Sequence, residues 1–247
     1  MIFGMMRVKN EEKYLARALK PLVEVCDSVF ILDDHSRDNT VDIIRSTERC
    51  ISIGSPFTGL NEARDKTFLL DFIVNSQLSK KDLTPDSPHW VICVDGDEEI
   101  CWSDIGKLAL ADPRHNISYS FQILTLYDAP DQIRVDGPYA KLLRPSMFRL
   151  IKPGMVFKST AQHGGGLHCS NVPADIGFAV RTHEPEPVRV KHYGYMKKEV
   201  REKKYKFYVE NDPGYESWYR GECFGGPMLV PLSDELTEGH LTPPNRL

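Results

Sequence analysis

The chain has 247 residues, enough for one large domain or for one domain with a small appendage. Its 41% hydrophobic and 27% charged residues argue against wholesale disorder, and a net charge of −4 with no long basic run argues against nucleic acid as the default partner. The sequence has no run of 18 apolar residues and no signal-peptide pattern, so we expect no membrane-spanning helix and a cytoplasmic protein.

The first hundred residues alternate between apolar strand patterns and helical patterns. Asn10 is expected to cap the first helix, which Pro21 kinks or ends, and Asp38 is expected to cap the second. This alternation predicts βαβ units and a parallel sheet. The strands are predicted over residues 1–8, 29–34, 50–55 and 90–95.

The second half of the chain has a different pattern. The loops over residues 153–187, rich in Gly, Pro and His, are expected to shape a site, and the tail from Gly225 is expected to be extended or poorly ordered. Between these regions lie predicted strands over 117–127, 141–151 and 188–195 and a basic helix over 196–210.

Acidic side chains follow two of the predicted strands. Asp33 and Asp34 end the second strand, and Asp95 and Asp97 follow the fourth in VICVDGDEEI. Because open parallel sheets bind ligands beyond the carboxyl ends of their strands, we expect both pairs in one cleft. The first pair could hydrogen-bond a nucleobase and a ribose, or form an ordinary turn. The Asp-x-Asp pair offers oxygen ligands for Mg²⁺ or Mn²⁺, although acidic turns after strands are also common.

Three later features could also bind a ligand. His192 ends a predicted strand, where its imidazole suits Mn²⁺ or has a structural role. The glycine-rich segment 162–169 suggests a flexible acceptor loop, since its His and Cys residues lack the spacing of a zinc site. The basic helix could neutralise a diphosphate leaving group or form a solvated face, through Arg201, Lys203, Lys204 and Lys206.

Read in order, four segments resemble the family 2 glycosyltransferases of the GT-A fold. They are RVKNEEKYLARAL with its Asn10-Glu11 pair, ILDDHSRDNT, GLNEARDKTFL with its Ala63-Arg64 pair, and VICVDGDEEI. A later segment, HYGYMKKEVREKKYKFYVENDP, is similar to a C-terminal stretch of some members in which a His completes the metal site.

The resemblance implies an α/β, Rossmann-like GT-A fold: a mostly parallel central sheet flanked by helices, with an irregular C-terminal acceptor-side region. Residues 1–115 would form the nucleotide-sugar-binding half, and residues 116–247 the acceptor-side half with the basic helix, all in one domain. The implied function is the metal-dependent, inverting transfer of a sugar from a nucleotide diphosphate donor, most simply a UDP-sugar. The acceptor would be a glycan, a lipid-linked intermediate, a protein or a small molecule, and the cofactor Mn²⁺ or Mg²⁺.

The resemblance also assigns roles to individual residues. The metal would be held by Asp97, His192 and Asp95. The nucleotide sugar would be bound by Arg7, Val8, Glu11, Asp33, Asp34, Arg64, Asp95 and Lys203.

The catalytic base departs from the family pattern. Many relatives carry a His-Glu pair after the central strands, whereas the corresponding stretch here, LHCSN, has Cys169 at the Glu position. Asp175 and His168 are predicted as candidate bases, since a neutral imidazole can accept a proton near pH 7. Glu184 and Asp136 are further candidates.

Two other functions are compatible with the sequence. A nucleotidyltransferase also uses an α/β nucleotide domain with metal-binding acids, but its usual basic, Gly-rich N-terminal loop is replaced here by the acidic NEE. A non-catalytic nucleotide- or sugar-binding module would explain the missing Glu.

Overall fold

A computed structural model gives the fold and describes residues 1–79, 81, 83–84, 86–109, 117–159, 168–176, 182, 186–211, 214 and 216–232. Its strands are β1 (Ile2–Val8), β2 (Ser28–Asp33), β3 (Cys50–Gly54), β4 (Trp90–Cys93), β5 (Glu98–Ile100), β6 (Ser118–Thr125), β7 (Gln132–Arg134), β8 (Leu143–Arg149), β9 (Arg189–His192) and β10 (Leu229–Pro231). Its α-helices are α1 (Leu15–Val25), α2 (Thr40–Ser46), α3 (Glu62–Gln77), α4 (Ile105–Leu108), α5 (Lys198–Asn211) and α6 (Glu216–Phe224).

Eight strands form one sheet in the order β3-β2-β1-β4-β8-β6-β9-β5. The first four strands are parallel to one another, as the strand–helix alternation predicts. Beyond β4 the sheet becomes mixed, because β8 runs antiparallel to both of its neighbours and β9 runs parallel to β6. Strands from both halves of the chain therefore share one sheet.

Helices cover both faces of this sheet. Along β1, Met6 and Val8 pack into one hydrophobic core, with α1, α2 and α4, while Phe3 and Met5 pack into the other, with α3. This alternation follows from the two-residue period of a strand buried on both faces. The predicted α/β architecture, a large sheet flanked by helices, is confirmed.

Local predictions fail where tertiary contacts decide the structure. Asn10 does not cap α1: it has a positive φ of 56° and its Oδ1 accepts the backbone N–H of Arg37 at 2.8 Å, and α1 begins only at Leu15. Pro21 does not end the helix either, since buried apolar residues on both sides of it pack α1 onto the sheet. Asp38 does accept the N–H of Thr40 at 3.0 Å at the start of α2.

Three short strands, β5, β7 and β10, were not expected from the sequence. β5 lies inside the acidic segment, where Glu98 pairs with His192 of β9, and β10 of the predicted loose tail pairs with β7. Across the described residues, no helix is both long and apolar enough to cross a membrane.

Candidate active site

A pocket of about 780 Å³ lies at the carboxyl ends of β1, β2 and β4. Because these strands are parallel neighbours, the residues that follow them leave the sheet at the same edge, where open α/β sheets bind ligands. The charged side chains among its described lining are Arg7, Lys9, Lys66, Arg144, Lys203, Lys204, Glu11, Asp34, Glu62, Asp95 and Asp97.

Of the two acids at the end of β2, the second lines the pocket. Asp34 Oδ2 is 2.7 Å from Arg7 Nη2 and 3.2 Å from Lys9 Nζ. Asp33 is buried beside it and accepts the backbone N–H of Ser36 at 3.2 Å, which stabilises the turn after β2. The structure therefore brings Asp34 to the shared cleft and places Asp33 just behind it.

A buried carboxylate in α3 links two arginines next to this wall. Arg7 Nε and Arg64 Nε each donate to Asp65 at 2.9 Å, one to each carboxylate oxygen. The Arg64 guanidinium also stacks on the ring of Phe57 and donates to the carbonyl oxygens of residues 58 and 59. Arg64 is not part of the pocket lining; it orders the loop whose residues 59 and 60 line the pocket.

Glu11 lies between the end of β1 and the acidic turn after β4. Gly96 permits this packing, because a Cβ at this position would lie 2.9 Å from Glu11 Cγ and 3.0 Å from Val8 Cγ1. Val8 itself is buried in the core and contributes its carbonyl oxygen, which accepts the N–H of Asp34 at 2.8 Å. Burial, together with repulsion from Asp97, raises the pKa of Glu11 to about 8.

The acidic turn after β4 is held by one arginine of β8. Arg144 Nη1 lies 3.3 Å from Asp95 Oδ2, and its Nη2 binds Glu98. Glu98 in turn accepts the backbone N–H of Asp95 at 3.0 Å. Burial opposes ionisation of Asp95, but Arg144 and then Lys66 outweigh it and hold the pKa of this carboxyl below its ordinary value. Asp95 therefore presents a negative charge to the pocket.

Asp97 meets groups from the far end of the chain. Its Oδ2 is 3.5 Å from Nε2 of His192 at the end of β9 and 3.1 Å from Nζ of Lys204 in α5. Gly194 allows these groups to converge, because a Cβ there would collide with the reactive ends of all three. Burial disfavours the charge of Asp97, yet Lys204 and His192 together lower its pKa far below the ordinary value.

The fit of this corner to a divalent cation is partial. One carboxylate oxygen and one imidazole nitrogen are suitable donors for Mn²⁺, and metals that serve phosphate chemistry often take few protein ligands. Among the described residues, however, no three His, Cys, Asp or Glu side chains are grouped closely enough to hold a metal ion. The ammonium of Lys204 also lies against the oxygen that a metal would use.

The pocket lining also contains a buried lysine. Lys66 of α3 is 4% exposed, and its Nζ lies 2.8 Å from Oδ1 of Asn171, whose Nδ2 donates to the carbonyl oxygen of Cys93 at 3.1 Å. Glu62, one helical turn earlier, accepts the backbone N–H of Cys169 at 3.1 Å. These contacts fix the segment 168–171 against α3.

The predicted bases lie in different places. His168 lines the pocket, with Nε2 3.3 Å from the hydroxyl of Tyr219. Asp175 is outside the lining: it binds Lys152 at 2.6 Å and accepts the N–H of Val156, and the Lys152 hydrogen bond lowers its pKa.

The two further candidate bases were Asp136 and Glu184. Asp136 is paired with Arg134 at 2.8 Å outside the lining. Glu184 lies outside the described residues.

Several pocket residues were missed in the sequence. Glu62 and Lys66 are four residues apart in a helix and therefore share a face with each other, a signal that could have found them once the Ala63-Arg64 pair was noted. Arg144 stands in a strand with no local pattern to mark it. Lys203 lines the pocket as predicted, but Lys204 makes the contact with Asp97.

Comparison with known proteins gives distant relatives of one kind. No protein-family model matches the chain. A curated protein of Rickettsia typhi, named an uncharacterized glycosyltransferase, is 26% identical over 140 residues, covering 55% of this chain and 42% of the relative. A Rickettsia prowazekii protein of the same description is 25% identical over the same length. The chain thus spans less than half the length of these relatives, and its expected resemblance to glycosyltransferases is confirmed.

Solved structures were also found at low identity. Staphylococcus aureus TarS 1-349 in complex with UDP-GlcNAc is 13% identical with a TM-score of 0.49, over 90% of this chain and 70% of that chain. Mycobacterium tuberculosis glucosyl-3-phosphoglycerate synthase, in complex with Mn²⁺, UDP and phosphoglyceric acid, is 13% identical with a TM-score of 0.34, over 51% of this chain and 43% of that chain. With both TM-scores below 0.5, neither structure by itself assigns the fold.

Proposed function

We propose that the protein is a glycosyltransferase that moves a sugar from a nucleotide diphosphate donor, a UDP-sugar, to an acceptor. The observation that carries the proposal is the convergence of Asp34, Asp95 and Asp97 with lysine and arginine side chains in one pocket at the ends of parallel strands. Its volume of about 780 Å³ suits a ligand of nucleotide-sugar size. The names of the curated relatives support the same class of reaction.

The nucleoside would lie against the ends of β1 and β2. Asp34 offers carboxylate oxygens to donors on the base or the ribose, and Arg7 holds that carboxylate in place. Three further residues would support the site without contacting the donor. Asp33 stabilises the turn after β2, the carbonyl of Val8 binds the backbone of Asp34, and Arg64 orders the loop beside the pocket. Glu11 and Lys203 line the pocket and would contact the donor directly.

The diphosphate would lie near Asp95 and Asp97. Asp97 and His192, with Asp95 close by, would hold Mn²⁺ or Mg²⁺ once Lys204 has moved away from Asp97. When bound, the metal would neutralise the negative charge of the leaving diphosphate. Lys203 and Lys204 supply positive charge from the protein at the same wall.

The acceptor hydroxyl would lose its proton to a base in the pocket lining. His168 is the predicted base that lines the pocket, and its contact with Tyr219 orients the imidazole. Direct displacement by that hydroxyl would invert the anomeric centre. Asp175 is bound to Lys152 outside the pocket lining, so we assign the role to His168.

A cytoplasmic location of the protein stays a prediction.

Thermal unfolding with UDP and Mn²⁺ tests the proposal. A ligand at a hundredfold excess over its Kd adds about 2.7 kcal/mol to the free energy of unfolding, which is visible as a rise in Tm. Asp97→Asn should abolish the rise, whereas Asp131→Asn, an exposed acid outside the pocket lining, should keep it. An unchanged Tm of the wild-type protein with every nucleoside diphosphate would contradict the proposal. Release of pyrophosphate from a nucleoside triphosphate would instead favour a nucleotidyltransferase.

A further inference from the structure

Lys204 holds the position next to Asp97 that a divalent cation would take. Its Nζ is 3.1 Å from Asp97 Oδ2, the same oxygen that lies 3.5 Å from His192 Nε2. The Lys204 side chain is 24% exposed and lies over the ring of Tyr195, with Nζ 5.0 Å from the ring centroid. The crowding of all three groups around Gly194 leaves little room for a second cation.

An ammonium and a divalent cation cannot share this position. The ammonium has only hydrogen-bond donors and offers no lone pair to a metal, and at such a distance it would repel the metal charge. Binding of a metal to Asp97 and His192 therefore requires that Lys204 Nζ leaves Asp97. The long, flexible stem of lysine makes this movement possible without a change in the helix.

The charge balance of the pocket indicates when Lys204 would leave. Its described lining carries six Lys and Arg side chains against five Asp and Glu side chains, so negative charge is not in excess there. A metal ion alone would add two positive charges to a surface that already lacks an excess of negative charge. A nucleoside diphosphate bound together with the metal would bring the compensating negative charge and would offer phosphate oxygens to the displaced ammonium.

We propose that Lys204 occupies the cation position in the donor-free protein and transfers to the donor diphosphate when the metal binds, so that metal and donor bind with positive coupling. This inference rests on the proposed function for the identity of the donor. Lys204 is then a binding residue for the diphosphate and, before the donor arrives, a competitor of the metal. Metal affinity without nucleotide is weak because the metal has to displace the ammonium.

Titration of the nucleotide-free protein with Mn²⁺ tests the competition directly. Lys204→Met removes the ammonium while keeping a side chain of similar length, and it should tighten the Mn²⁺ Kd by about tenfold, equivalent to 1.4 kcal/mol. Lys203→Met is the matched control, because it removes the same charge from the neighbouring pocket residue and should change the Mn²⁺ Kd much less. Lys204→Arg, which restores a cation, should return the Kd toward that of the wild-type protein.

Titration with UDP completes the test. In EDTA, Lys204→Met should weaken UDP binding, and UDP should tighten Mn²⁺ binding more in the wild-type protein than in this variant. An Mn²⁺ Kd that Lys204→Met leaves unchanged, or that Lys203→Met tightens equally, would overturn the inference. Because the Mn²⁺ titration contains no nucleotide, failure of the wild-type protein to bind UDP would count against the proposed function and not against the competition at Asp97.

Discussion

Two parts of the pocket hold their charges in different ways. The nucleotide wall consists of the lining residues Arg7 and Asp34 with Asp65 and Arg64 packed behind them, and the cation corner consists of Asp97, His192 and Lys204. In the nucleotide wall, each carboxylate is bound by an arginine at 2.7–2.9 Å. In the cation corner, one carboxylate oxygen is contacted by a lysine and a histidine from distant elements. The first arrangement holds its carboxylates with arginines, and the second is the one in which we propose that a metal displaces the lysine.

The largest expected effect breaks the nucleotide wall. Among the described residues, Arg7→Met leaves Asp34 paired with Lys9 alone and Asp65 paired with Arg64 alone, in an almost buried setting. Removal of one partner from a buried ion pair typically lowers the free energy of unfolding by about 3 kcal/mol. Urea unfolding measures the change.

The matched control for Arg7 is Arg220→Met. Arg220 pairs with Glu216 on the exposed surface of α6, and because water and salt screen such pairs, its loss should lower the free energy of unfolding much less. Equal losses in the two variants would mean that the nucleotide wall is no more rigidly held than a surface ion pair.

A smaller effect is expected when the cation corner is crowded. Gly194→Ala places a Cβ against Lys204, Asp97 and His192, so we expect a loss of about 2 kcal/mol from overpacking together with weaker Mn²⁺ binding. Gly106→Ala is the control, since nothing lies within 4 Å of its added Cβ and the helix there favours alanine. Normal Mn²⁺ binding by Gly194→Ala would contradict a metal site formed by the groups that converge at this glycine.

The pH dependence of stability should report the protonation of Glu11, which lies near the cation corner. The raised pKa of Glu11, about 8 in the folded protein against 4.5, means that the folded state binds the extra proton between these values. In EDTA, the free energy of unfolding should therefore fall as pH rises from 4.5 to 8. Glu11→Gln should flatten this slope; an identical slope in the variant would refute the assignment.

The smallest expected effect sharpens the roles of the two acids after β2. Asp34 lines the pocket and Asp33 binds the turn behind it. Asp34→Asn should weaken UDP binding by about fivefold, or roughly 1 kcal/mol, and Asp33→Asn by less, as measured by calorimetric titration. A larger loss in Asp33→Asn would reverse the assignment.

Site residues could be predicted where the sequence pattern that marks them lies in one short segment of the chain. The acids after β2 and β4 were predicted because a strand and the residues that follow it are contiguous in sequence. β5 was missed because its partner β9 is about ninety residues away and its three residues carry no strand pattern, an example of pairing that only tertiary structure decides.

Two kinds of site residue could not be predicted from the sequence: the residue of the basic helix that faces the pocket, and isolated basic residues in strands. The basic helix was predicted, but its sequence shows no clear apolar face, so the choice between Lys203 and Lys204 as the partner of Asp97 needed the structure. Arg144 lies in a strand whose neighbours give no reason to expect an acidic partner forty-six residues earlier. Asn10 was read as a helix cap because Asn favours both caps and left-handed turns, and here the turn prevails.

A crystal structure with UDP and Mn²⁺ is the most direct measurement of the central claim. We expect UDP in the pocket beyond β1, β2 and β4, with Mn²⁺ between its phosphates and the side chains of Asp97 and His192, and with Lys204 Nζ on a phosphate oxygen. A nucleotide bound elsewhere, or bound in this pocket with Lys204 still on Asp97 and the metal away from both ligands, would contradict it.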